Sequence, residues 1–99
     1  MNKITIAVKE PAKPWRKQEA ENTLETFQKI VGGYIELCLY GPNGVLIFGN
    51  EEGKLLGMVP NIELPNDTIV GTVFAVRSND EGDFISLYDE DFDSLGVRQ

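Results

Sequence analysis

Residues 32–57 read GGYIELCLYGPNGVLIFGNEEGKLLG, and this stretch decides the fold. Two apolar runs, 34–40 and 45–48, flank the turn Gly41-Pro42-Asn43-Gly44. Proline suits the first inner position of such a turn, and Gly44 supplies a positive φ after it. A second polar turn, Asn50-Glu51-Glu52-Gly53, follows at once. The pattern predicts a β-hairpin and the start of a third strand. In the first arm Ile35, Leu37 and Leu39 share one face, while Tyr34, Glu36, Cys38 and Tyr40 share the other. The aliphatic face is expected to lie in the core under a helix. The second arm is continuously apolar, as expected of a central, well-covered strand.

Upstream, residues 4–8 (ITIAV) read as a first strand. Residues 9–17 (KEPAKPWRK) follow as a basic loop broken by Pro11 and Pro14 and carrying the one tryptophan, Trp15. Asn22-Thr23-Leu24-Glu25 reads as a helix start, with Asn22 as the cap and Glu25 reaching back in a capping box. Leu24, Phe27, Ile30 and Val31 then share one helical face, and Gly32-Gly33 end the helix after about nine to twelve residues.

Downstream, residues 54–56 are expected to pair briefly with the strand at 45–48, and residues 57–65 read as irregular. Residues 68–77 read as one long strand, in which Gly71 marks a bulge or a close backbone approach. A turn at 80–83 leads into a last strand at 84–87. An acidic helix at 89–95 is expected to dock weakly through Phe92 and Leu95. The whole is an α+β domain over residues 1–99. It has a mostly antiparallel sheet of about five or six strands, one main helix on one face and a short acidic C-terminal helix.

The 99 residues include 16 acidic and 9 basic side chains, for a net charge of −7. Such a balance discourages direct binding to nucleic acid, whose phosphates would be repelled. The charge is uneven. Residues 1–17 hold Lys3, Lys9, Lys13, Arg16 and Lys17 against Glu10 alone, whereas residues 80–93 hold seven carboxylates and no base. One cysteine, Cys38, suits a reducing cytoplasm and reads as a small core or interface residue. Histidine is absent, which removes the commonest general base and metal ligand. The segment 4–8 is too short for a signal peptide, and no run is long enough to span a membrane. A cytoplasmic location is therefore expected.

No catalytic residue is assigned, and an enzyme is disfavoured. No metal or cofactor is expected either. Asp89, Asp91 and Asp93 have the one-three-five spacing of a calcium loop, but Ser94 stands where glycine is needed. Two binding readings remain. In the first, Glu81, Asp83, Asp89, Glu90, Asp91 and Asp93 form an exposed acidic surface for a protein partner. In the second, Tyr34, Asn50, Lys54 and Asn61, with Trp15 and Arg16 as outliers, hold a small nucleotide-like ligand, as in an oligomeric sponge. Tyr34, Cys38 and Tyr40 give one strand face an amphipathic surface, for which a homodimer is the default.

The order VGGYIE at 31–36, NEEGKLLG at 50–57, Pro60-Asn61 and IVGT at 69–72 resembles a family of small proteins about as long as this one, catalogued as a domain of unknown function. Its members are encoded by bacteriophages, plasmids and other mobile elements. The resemblance runs from the first strand to the acidic end, and residues 9–20 lie outside its pattern. It implies a mobile-element origin and no activity. By analogy of context it implies action on a bacterial host system, defence systems included, through a host protein or a sequestered nucleotide signal.

Overall fold

The structure, a computed structural model, describes residues 2–97. Eight strands and two helices follow in the order β1 (Lys3–Lys9), β2 (Arg16–Glu21), α1 (Leu24–Val31), β3 (Ile35–Tyr40), β4 (Leu46–Asn50), β5 (Pro60–Leu64), β6 (Asp67–Val70), β7 (Val73–Ser78), β8 (Phe84–Ile85) and α2 (Asp89–Ser94). The main sheet runs β2-β1-β7-β4-β3, with β8 paired to the end of β7. All its pairings are antiparallel. β5 and β6 form a separate two-stranded hairpin. The α+β class, the antiparallel sheet, the covering helix and the acidic C-terminal helix are as the sequence predicts.

Strand alternation divides the interior in two. Ile4, Ile6, Val8, Phe74 and Val76 point to the α1 face, where Phe27 and Val31 cover them. Phe74 stacks between Phe27 and Phe48, with ring centroids 4.9 and 5.4 Å away. On the opposite face Ala7, Ile47, Val73 and Ala75 meet Ile69 of β6, Leu87, Phe92 and Val97. The small hairpin and the C-terminal segment thus form a third layer.

Several local expectations are corrected. Residues 16–21 form a strand, β2, at the sheet edge; its sequence RKQEAE hides the alternation because one face is charged. The cap of α1 is Thr23, whose hydroxyl accepts from Thr26 N at 3.2 Å, and Asn22 instead donates to Phe84 O at 2.9 Å. α1 is accordingly eight residues long. The expected face of Ile35, Leu37 and Leu39 is split by a bulge between Leu37 and Leu39. Ile35 packs with the α1 cluster, and Leu39 packs with the opposite one. Residues 54–56 pair with nothing in the sheet; Leu55 stands 86% exposed in a turn. Residues 60–64 are a strand despite Pro60, because the hairpin is only two strands wide and its edge tolerates a missing donor. The expected last strand, 84–87, keeps only its first two residues.

The predicted strand at 68–77 is two strands in two sheets, broken at Gly71 (φ +78°). A Cβ there would stand 2.7 Å from Met58 Sδ. Asn61 holds the junction: its Nδ2 donates to Gly71 O at 2.8 Å and to Lys9 O at 2.9 Å, and Lys9 Nζ returns a bond to Oδ1 at 2.6 Å. Gly71→Ala should therefore destabilise the protein by about 1–3 kcal/mol, from positive φ and displacement of Met58. Urea denaturation checks this, and a loss near zero would show that the junction relaxes freely.

Candidate functional site

β7 ends next to the start of β4, since Val76 lies opposite Leu46. Three segments gather at that end of the sheet: the 3-10 turn at Pro42–Gly44, the β7–β8 turn at 79–83, and α2. The sequence folds them there for local reasons. Asn79 Oδ1 accepts from the backbone of Glu81 at 2.9 Å and of Asp83 at 3.0 Å, which closes the turn. Thr5 N donates to Ser86 Oγ at 2.9 Å, and Leu87 N to Thr5 O at 3.0 Å, which ties the following segment to β1. Phe92 of α2 is then 1% exposed, so this helix docks firmly rather than weakly.

The anchor is Arg77. Its Nε donates to Asp91 Oδ2 at 2.6 Å and its Nη2 to Oδ1 at 2.8 Å, a two-pronged pairing. Tyr88 N donates to the same carboxylate at 2.7 Å, and the guanidinium lies over the Tyr88 ring at 4.2 Å. Asp91 is 3% exposed. The guanidinium holds the Asp91 carboxyl below the usual range, against the opposing effect of burial, and Asp91 holds Arg77 above its own. Asp91 is thus a buried structural anchor and leaves the exposed acidic surface expected from the sequence. Glu81, Asp83, Asp89, Glu90 and Asp93 remain exposed there, joined by Asp80. Arg77 is the one basic residue between Lys54 and Arg98, and a lone arginine at the end of an apolar strand was the signal for a buried carboxylate partner.

The residues named for a nucleotide-like ligand do not come together. Trp15 packs against the core cluster opposite α1, and Arg16 Nη1 bonds Glu10 at 2.6 Å. Asn61 is engaged at the Gly71 junction described above. Asn50 is buried: its Nδ2 donates to Val31 O at 3.2 Å and its Oδ1 accepts from Glu52 N at 2.7 Å, joining the end of α1 to the turn after β4. Gly33 lies against that amide, where a Cβ would stand 2.7 Å from Nδ2. Tyr34 and Tyr40 are exposed, while Cys38 is half-buried beside Gly49.

Of that set, Asn50 and Lys54 line a common cavity. This is a cleft of about 280 Å³ between β3, the turn after β4, and β6. Its rim carries Glu36, Glu51, Glu52 and Asp67 against Lys54, which pairs with Asp67. Lys54 holds the Asp67 carboxyl below its usual range. Burial, with Glu36 adding to it, pushes the Cys38 thiol up, so the sulfur in this cleft is a neutral thiol rather than a nucleophilic thiolate. Four carboxylates to one committed ammonium make this a poor seat for a phosphate.

The fold and its charged end define a small α+β domain with an acidic pole. The family model described as domain of unknown function DUF3846 matches residues 4–98, and the chain belongs to that family. No curated protein matches the chain, and no solved structure does.

Asp91→Ala should cost about 2–4 kcal/mol, because it strands the half-buried Arg77. The pairing should also shape acid stability. A carboxyl with a folded pKa below its unfolded value stabilises fully above the unfolded value, about 3.9 for aspartate, and that stabilisation is lost as pH falls through the folded one. Denaturation midpoints measured from neutral pH into acid should fall less steeply in Asp91→Ala than in the wild type. Parallel acid limbs would contradict the assignment.

Proposed function

We propose that this chain is a non-enzymatic binding protein of bacteriophage or mobile-element origin. In this reading it acts in the cytoplasm of its bacterial host and modulates a host system, with defence systems among the candidates. It does so by engaging a basic host protein through its acidic pole. The partner's chemistry is that of a protein whose own surface serves nucleic acid, since such a surface is already built to meet dense negative charge.

One observation carries the reading. Asp80, Glu81, Asp83, Asp89, Glu90 and Asp93 are exposed at one end of the sheet, and the arginine beside them is consumed by Asp91. A cluster of exposed carboxylates on a rigid base creates a field that steers and orients a basic partner. The same charge would make the isolated protein repel itself at that end, a cost that folding alone gives no reason to keep. The acidic rim of the cleft weighs against the nucleotide-sponge reading.

The test is capture from host lysate by wild-type protein and by the variant Glu81→Lys/Asp83→Lys/Glu90→Lys/Asp93→Lys. A specific partner should be retained in low salt, released as salt is raised toward about 0.5 M, and weakened about tenfold or more by the variant. Equal retention by both proteins, or retention indifferent to salt, would overturn the proposal.

A further inference from the structure

The two edges of the main sheet are unlike. β2, at one edge, carries Arg16, Lys17, Glu19 and Glu21 among six residues. Such charge blunts an edge against further strands. β3, at the other edge, reads IELCLY, with Glu36 as its one charge, and among the described residues pairs with β4 alone. Glu36, Leu37 and Cys38 of this edge strand line the cleft, and β6, which among the described residues pairs only with β5, forms the facing wall.

The ladder phase identifies the groups on offer. Glu51 N donates to Tyr34 O at 2.8 Å, and Glu36 is two residues further along, opposite Gly49. Bonded and non-bonded pairs alternate in an antiparallel ladder, so the amide and carbonyl groups of Ile35 and Leu37 point outward from the sheet. The bulge after Leu37 ends this regular edge and sets Cys38 into the cleft wall. Only a short segment of backbone can therefore be added. Leu37 and Leu55 supply exposed apolar surface beside it, and Glu36, Glu51 and Glu52 supply negative charge.

We propose that this cleft takes a short, extended, basic peptide segment, which adds as a strand to β3 and places lysine or arginine side chains among Glu36, Glu51 and Glu52. Main-chain bonds to Ile35 and Leu37 give the register, and the carboxylates give the preference for cations. The site is at the far end of β4 from the acidic pole, so it stands or falls independently of that surface.

The probe is an eight-residue peptide alternating lysine with valine and threonine, added to the full-length ¹⁵N-labelled protein. Controls carry glutamate for lysine, or N-methyl groups on alternate amides of the pairing edge. The lysine peptide should bind and slow exchange of the Ile35 and Leu37 amides about tenfold or more, and both controls should fail. Leu37→Pro should weaken binding about tenfold or more yet leave the fold intact, because the lost N–H faces outward at an edge. Glu36→Lys/Glu51→Lys, which changes only exposed side chains, should weaken it comparably. The proposal is overturned if no binding is seen up to about 1 mM peptide. It is equally overturned if Leu37→Pro binds as the wild type does, or if protection falls on other strands. Concentration-dependent protection of Ile35 and Leu37 in the protein alone would assign the edge to a second copy of the chain instead.

Discussion

Everything in this molecule leans on four residues of β7. Val73, Phe74, Ala75 and Val76 are each 0% exposed, and they lie between β1 and β4 in the middle of the sheet. Alternation turns Phe74 and Val76 toward α1 and Val73 and Ala75 toward the third layer. One strand therefore belongs to both cores. Burial of each large side chain is worth about 1.5–3 kcal/mol, and in a domain this small neither core is large enough to stand without the other. The helix, the small hairpin and the C-terminal segment all find their places by packing on this strand or on its neighbours.

The same alternation decides where charge goes. Arg77 follows Val73 and Ala75 on the third-layer face, which sets its guanidinium under α2. Asp91 answers it from the buried side of that short helix, and Phe92 follows into the core. Once this pair is closed, the remaining carboxylates of the turn at 79–83 and of α2 face solvent. The acidic pole is thus a consequence of strand phase: one charge is spent inside to fix the segment, and the others are displayed outside.

The legibility of the sequence followed the same physics. The hairpin at Pro42–Gly44, the covered strand β4, the helix with its left-handed end at Gly32 and the acidic C-terminal helix each rest on local signals, apolar periodicity and turn chemistry, and each was readable. β2 was not, because an edge strand guarded by charge carries little apolar pattern. β5 was masked by Pro60, and the split at Gly71 is set by which sheet each half joins, which is a tertiary choice. At the site the exposed carboxylates were legible as a group. Asp91 was not separable from its neighbours, since its burial depends on an arginine fourteen residues away. Asn50 and Asn61 read as ligand groups because polar residues near strand ends serve either purpose; here their amides are spent on backbone carbonyls at junctions between elements.

The central claim is that the acidic pole is the surface at which this protein meets its partner. Zero-length carboxylate-to-amine cross-linking of the complex, followed by mapping of the linked residues, tests it most directly. The account predicts that links to partner lysines start from Glu81, Asp83, Glu90 and Asp93. A complex linked only through carboxylates elsewhere on the fold, such as Glu19 or Glu25, would contradict it.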